Sequence, residues 1–327
     1  MNKKQLFDPM QCIKKLVSFS PRQFSGEDKA RQYIQDTLSS FSVSYRIQAF
    51  QTRIPVISRA RLMVDEKLIP CKGCCFIGGK IVGKDNIISS LISSQRFLYD
   101  TNINFNPQCK GISLSNFYFA PSVAVDTKGL QKVIAGKKVT ASVAVRPQKH
   151  QSANIFVGNR KNPSSIVFVH YDSIETGAID NASGVAVALD IIYSFPKILE
   201  GTLFVFSGNE ELSYDQPVYW GRGFRAFEKI YGSIMESVKN IFIVDCVGNG
   251  KTHISQDRHI MPLAFPIKNI EKWKKKIFLL FGDLDGLMQV YHSNLDVPDL
   301  IEARFLMDAK RTLMSRLKYL SAKKMSV

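Results

Sequence analysis

The sequence has no apolar run long enough to cross a lipid bilayer, for which a helix needs about 20 consecutive residues. Residues 1–9 include lysines but lack the apolar core of a secretory signal peptide. We therefore expect no membrane partner and a cytoplasmic location.

Dense clusters of positive charge are also scarce, although the 327-residue chain carries a formal net charge of +16. Proteins that bind nucleic acids neutralise phosphates with clustered Lys and Arg side chains. The densest basic run, residues 272–276, directly precedes an apolar segment and is typical of a solvated helix end or loop. We therefore expect no nucleic-acid partner.

Paired CxxC motifs are missing, because the six cysteines form only one such motif, at Cys71 and Cys74. With Cys75 and the distant Cys109 this motif offers four thiols, the number that a structural zinc site needs. A single CxxC motif is a weak signal for such a site. Reduced thiols are the favoured interpretation, and a structural zinc is the alternative.

Hydrophobic residues make up 45% of the chain, enough for one large core or for a core domain with a smaller second one. Residues 9–38 show helical spacing interrupted by a loop, which predicts two helices. Short apolar runs and frequent Gly and Asn then indicate a small β-rich domain at 53–146. The larger domain would consist of residues 1–52 and 147–327.

The larger domain alternates buried strands with helices after residue 154. Continuous apolar runs at 166–169, 203–206 and 241–244 predict strands covered on both faces. Helical periodicity follows at 185–195 and again at 298–320. This alternation predicts an α/β fold with a mostly parallel central sheet flanked by helices. Ligands of such sheets bind beyond the carboxyl ends of the strands.

Polar side chains that can bind metals follow three of the predicted strands. His170 and Asp245 come directly after two strands, and Glu210 and Glu211 follow the third after a three-residue link. Because carboxyl ends of parallel strands meet at one edge, we expect these side chains to share a crevice. Separate solvated strand ends are the alternative interpretation.

The spacing around His170 suits a metal ligand and its supporting group. Asp172 lies two residues later, on the same face of an extended chain. It could accept a hydrogen bond from the second ring nitrogen of His170, although a solvated loop acid is the alternative. Asp180 lies in a turn before a helix, where its carboxylate could bridge two cations or simply cap the helix.

Glu210 and Glu211 are adjacent, and two neighbouring acids can divide the work of a metal site. One can bind the metal while the other takes a proton from a metal-bound water. The link before them contains Gly208, which indicates that the strand has already ended. His292 follows an apolar stretch, and on its own it would more often be structural.

In this order, the motifs resemble those of the zinc exopeptidases of the aminopeptidase Y and bacterial leucyl aminopeptidase type. The resemblance extends from residue 154 to the end of the chain, and residues 119–140 resemble part of a protease-associated insert. The motifs that carry it are His170-Tyr171-Asp172-Ser173, residues 177–184 around Asp180, Glu210-Glu211, Val244-Asp245 and Tyr291-His292-Ser293.

The resemblance implies the zinc exopeptidase fold and a pair of metal ions. His170, Asp180 and Asp245 would hold one ion. Glu211 and His292 would hold the other together with Asp180, which bridges the two. Nitrogen and carboxylate ligands suit two Zn²⁺ ions, and Co²⁺ or Mn²⁺ would also fit.

The resemblance further implies an aminopeptidase that removes N-terminal residues from peptide substrates. Glu210 would be the general base toward a metal-activated water, and Asp172 would assist catalysis from beside the metal ligands. The alternatives are a glutaminyl-cyclase-like zinc acyltransferase and an inactive binding module on the same scaffold. Residues 212–214 replace the glycine usual in the family, and Asp283 and Asp285 are rival carboxylates.

Overall fold

A computed structural model describes residues 6–91 and 95–322. The described strands are β1 (Tyr45–Val64), β2 (Lys67–Ile69), β3 (Lys72–Gly73), β4 (Gly79–Val82), β5 (Ile87–Ser89), β6 (Asn102–Phe105), β7 (Ser122–Val125), β8 (Val139–Gly158), β9 (Ser165–His170), β10 (Thr202–Ser207), β11 (Asn240–Val244), β12 (His253–Ser255) and β13 (Ile277–Phe281). The α-helices in the same residues are α1 (Pro9–Val17), α2 (Ser25–Ser40), α3 (Thr127–Ala135), α4 (Ser183–Ser194), α5 (Arg222–Ser237), α6 (Met261–Ala264), α7 (Ile270–Trp273), α8 (Leu284–Met288) and α9 (Ala303–Ala322).

The large sheet has the strand order β12-β13-β11-β9-β10-β8-β1-β2, with β4 paired to β8. Its central strands β13, β11, β9 and β10 are parallel to one another, as the buried apolar runs predict. The outer strands β12, β8 and β1 pair antiparallel to their neighbours, so the complete sheet is mixed. The α/β fold predicted from the sequence is confirmed.

Helices cover both faces of the central strands, and neighbouring strand residues point to opposite layers. Val167 of β9 packs in a cluster with Val187 of α4 and Leu313 of α9. Phe168, the next residue, packs on the other face with Phe227 of α5, their ring centroids 5.1 Å apart. Burial on both faces explains why residues 166–169 of β9 form a continuous apolar run rather than an alternating pattern.

Strands β1 and β8 form one long antiparallel ribbon that crosses the expected domain boundaries. We expected a separate β-rich body at 53–146, and this expectation is wrong, because the large sheet continues into that segment without a break. The composition changes after residue 53 because different elements pack on the ribbon there. Alternating patterns show that a strand is present and leave its length open.

The segment 53–146 nevertheless adds a second sheet, with the order β3-β7-β6-β5. A hydrophobic cluster that includes Leu62, Val123 and Val143 joins this sheet to the ribbon. The protease-associated character of the segment stays a prediction. Among the described residues, no helix is both long and apolar enough to span a membrane.

Candidate metal centre

The carboxyl ends of the central strands bring the predicted ligands to one edge of the sheet. His170 is the last residue of β9, and Asp245 directly follows β11. Glu210 and Glu211 follow the end of β10 after a link of two residues. Parallel strands end at the same edge, so residues that are far apart in the sequence become neighbours here.

The backbone leaves the strand at Gly208, before the two glutamates. A Cβ atom at this position would lie 2.5 Å from Ser152 Oγ and 2.6 Å from Tyr171 Oη, so a side chain has no room there. The next residue, Asn209, has a φ of 49°, which turns the chain out of the extended conformation. The predicted strand end at this point is therefore present.

His170 lies at the centre of a first cluster of potential metal ligands. Its Nε2 atom lies 3.1 Å from Asp180 Oδ1 and 3.3 Å from Asp245 Oδ1. One ligand atom from each residue lies within 4.8 Å of the others, close enough to share a cation. The side chain of Asp245 is 26% exposed, whereas the two partners are buried, so this cluster opens to solvent at Asp245.

His292 forms a second cluster that shares Asp180 with the first. Its Nε2 atom lies 2.9 Å from Glu211 Oε2 and 3.3 Å from Asp180 Oδ2. Asp180 therefore presents one oxygen to each imidazole, the arrangement expected of a carboxylate that bridges two cations. The structure brings together all five residues predicted as ligands.

The chemistry of these side chains fits cations. Burial lowers the pKa of His292, but the carboxylates of Glu211 and Asp180 raise it more, to well above the usual 6.5. The surrounding carboxylates therefore favour a positive charge at this position, either as imidazolium or as a bound cation. Within the described part of the chain, His292 Nε2 is buried without hydrogen-bond geometry to any acceptor. Buried nitrogen and carboxylate ligands without thiolate fit Zn²⁺.

Glu210 is buried beside the ligands but belongs to neither cluster. Burial raises the pKa of this carboxyl well above its usual 4.5, and the negative charges of Glu211 and Asp172 raise it further. A carboxylate with a raised pKa is a better proton acceptor. Glu210 thus has the environment of a general base.

Asp172 is placed beside the site, where it contacts the backbone of the glutamate pair. Its Oδ1 accepts a hydrogen bond from Glu210 N at 2.9 Å, and its Oδ2 accepts one from Glu211 N at 3.0 Å. His170 Nδ1 lies 3.6 Å from Asp172 Oδ1, which is beyond hydrogen-bond distance. Asp172 therefore orients the glutamates more directly than it orients the imidazole.

Two further buried residues that the sequence did not single out hold the backbone of the site. Asp296 accepts hydrogen bonds from the backbone N–H groups of Ile179 and Asp180, at 2.8 and 3.1 Å. Arg22 is fully buried and donates to the carbonyl oxygens of Tyr171, at 2.7 Å, and of the turn that precedes Asp180. The position of Asp296, four residues after His292, could have indicated that it belongs to the site. A lone arginine in a loop, such as Arg22, gives no such indication.

The alternative candidates lie outside the centre. In the described residues, the groupings that could hold a metal contain no cysteine, so nothing supports a zinc site at Cys71 and Cys74. Asp283, a rival carboxylate, instead caps α8 by accepting a hydrogen bond from Asp285 N. Cys246 is the cysteine next to the site, and its Sγ donates to Asp245 Oδ1 at 3.3 Å.

With this geometry in place, comparison with known proteins shows the family resemblance. Residues 154–258 match the model of peptidase family M28. The matched segment contains the predicted ligands up to Asp245, whereas His292 lies beyond it. The resemblance to zinc exopeptidases is confirmed, and the M28 match supports a metal-dependent peptidase. No curated protein matches the sequence.

Several solved structures share the fold over nearly the whole chain. BSAP, a zinc aminopeptidase from Bacillus subtilis, is 15% identical with a TM-score of 0.66, and the match covers 96% of this chain and 94% of that one. The aminopeptidase from Aneurinibacillus sp. strain AM-1 is 17% identical with a TM-score of 0.62, over 94% and 92% of the two chains. Glutaminyl cyclase from Porphyromonas gingivalis is 14% identical with a TM-score of 0.53, over 97% and 99%.

Proposed function

We propose that this chain is a zinc-dependent aminopeptidase that binds two Zn²⁺ ions and removes N-terminal residues from peptides. The observation that carries the proposal is the pair of ligand clusters that share Asp180, with Glu210 buried beside them. His170, Asp180 and Asp245 would hold one ion, and Glu211 and His292 would hold the second together with Asp180.

The residues around the ligands account for the steps of peptide hydrolysis. When bound, zinc would acidify a water and polarise the scissile carbonyl. Glu210 takes the proton of the attacking water and passes it to the leaving amine. The backbone N–H groups of Glu210 and Glu211 are tied to Asp172, which keeps the base and the ligand in fixed relation.

The charge of the site explains why a free chain end would be preferred. A peptide with a free N-terminus carries a positive α-amino group, which the surplus carboxylates of the centre attract. The opening at Asp245 lets the α-amino group approach these carboxylates from solvent. A blocked N-terminus lacks this charge, so an acetylated peptide would lose the interaction.

Zinc analysis with a panel of peptides tests the proposal. We expect up to two zinc ions per chain, hydrolysis of peptides with a free N-terminus, and no hydrolysis of the same peptides after N-terminal acetylation. Loss of ammonia from a peptide with N-terminal glutamine, without hydrolysis, would instead identify a glutaminyl cyclase. Zinc binding without turnover of any peptide would indicate an inactive binding module.

A further inference from the structure

Segment 53–146 contacts the second ligand cluster at His292. His292 Nδ1 lies 3.2 Å from the backbone oxygen of Leu114, and Leu114 N donates to the backbone oxygen of His292 at 2.9 Å. The two residues are 178 positions apart in the sequence. A carbonyl oxygen can only accept, so Nδ1 carries the proton and, in the neutral ring, Nε2 is left free to bind a metal.

Two further side chains of this segment, both buried, form hydrogen bonds with the backbone that precedes His292. Ser113 Oγ donates to the backbone oxygen of Tyr291 at 2.6 Å. Asn106 Nδ2 donates to the backbone oxygen of Met288 at 2.9 Å. Asn106 is 1% exposed and Ser113 is fully buried, so both donors are shielded from water.

His170, the imidazole of the first cluster, has no comparable hydrogen bond in the described residues. In the part of the chain that is described, His170 Nδ1 is buried without a hydrogen-bond partner. Its position follows from β9, which it ends, whereas His292 lies in a loop with a φ of 47°. The two imidazoles therefore depend on different parts of the molecule for their orientation.

We propose that Asn106 and Ser113 are positioning residues that set the zinc affinity of the cluster of Asp180, Glu211 and His292. The proposal rests on the proposed function, because it takes His292 as a metal ligand. The hydrogen bonds of segment 106–114 hold the imidazole in its binding orientation before the metal arrives. Without them the ring must be ordered on binding, which weakens affinity at this cluster and leaves the other cluster unchanged.

The substitution Ser113→Ala tests this with little change in volume, because it removes the donor to Tyr291 and keeps the Cβ atom. We expect zinc affinity at the His292 cluster to fall about tenfold, measured by competition with a chromophoric chelator. Ser122→Ala is the matched control. Ser122 is also a buried serine of segment 53–146, and its hydroxyl donates to the backbone oxygen of Ala120, so zinc affinity should not change.

Two ligand variants assign the effect to one cluster. In a His170→Ala background, zinc binding depends on the second cluster, and Ser113→Ala should weaken it. In a His292→Ala background, the same substitution should have no effect on the remaining zinc. Asn106→Asp gives an independent test, because it loses the donor to Met288 but keeps the oxygen that accepts from Gln108 N.

Circular dichroism identifies variants that are folded, and only these enter the comparison. Equal weakening in both backgrounds, or unchanged affinity in folded Ser113→Ala and Asn106→Asp proteins, overturns the inference and leaves the proposed function standing. Zinc binding that is insensitive to both His170→Ala and His292→Ala contradicts the proposed function itself, and the inference falls with it.

Discussion

Asp172 accepts a hydrogen bond from the backbone N–H of Glu210 at 2.9 Å, which joins the end of β9 to the end of β10. A second bond, from Glu211 N to the other oxygen of Asp172, makes this link bidentate. The carboxylate of Asp172 thereby fixes the turn that presents both glutamates to the site.

Replacing Asp172 with Asn should lower turnover more than it lowers zinc content. The amide keeps the size but offers only one acceptor atom to two N–H donors, so the glutamate turn loosens. We expect kcat to fall about 10- to 100-fold, as for other groups that orient a metal site. Steady-state kinetics together with zinc analysis checks this, and a variant with the wild-type kcat would contradict it.

The adjacent glutamates should respond differently to the same substitution. Glu210→Gln should nearly abolish turnover and keep the metal, because the amide cannot accept the proton. Glu211→Gln should lose zinc, because it weakens one ligand of the second cluster. Zinc stoichiometry and peptide hydrolysis of both variants decide the matter, and substantial activity in Glu210→Gln would identify another residue as the base.

Arg22 should contribute strongly to stability. Its buried guanidinium donates to the backbone oxygens of Tyr171 and Gly177, and Arg22→Met would remove both bonds and leave the buried Tyr171 oxygen without this donor. We expect the free energy of unfolding to fall by about 3 kcal/mol, measured by urea denaturation. Arg31→Met is the control, since Arg31 forms a partly exposed ion pair with Asp28 and should cost less than about 1 kcal/mol.

Asp65 should make stability depend on pH. Hydrogen bonds from the backbone N–H groups of Lys138 and Lys137 lower its pKa below the usual 3.8. A lowered pKa in the folded state contributes stability above pH 3.8, and this contribution is lost as the pH falls through the folded-state value. Urea denaturation should show wild type more stable than Asp65→Asn at pH 7, with a smaller difference at pH 3. A difference that is independent of pH would contradict this.

Much of the centre follows from the sequence, because its signals are local. Buried strands are continuous apolar runs, and the residue after such a run lies at the carboxyl end of a strand, as His170 and Asp245 do. Gly208 marks the end of β10 and thereby the turn to Glu210 and Glu211. When functional side chains lie at the ends of parallel strands, the α/β topology alone places them at one edge of the sheet, so no tertiary contact needs to be known to predict this.

The extent of the long ribbon could not be derived in this way. Each half of β1 and β8 alternates like an ordinary strand, and a composition change at residue 53 is also what a domain boundary produces. The pairing of 19 residues of β1 with 19 residues of β8 about a hundred positions away is decided by packing on both sides. The expected separate body at 53–146 failed for this reason.

By itself, the sequence determined the central strands, the helices next to them and the candidate ligands at the strand ends, because period and composition act over a few residues. Only the tertiary structure decided which groups form hydrogen bonds with these residues. Asp172 accepts a hydrogen bond from the backbone of Glu210 rather than from the expected partner His170. His292 contacts the carbonyl oxygen of Leu114, 178 positions away. Every residue carries a backbone oxygen, so the sequence does not indicate which one a side chain contacts. Such a partner is known only from the folded structure.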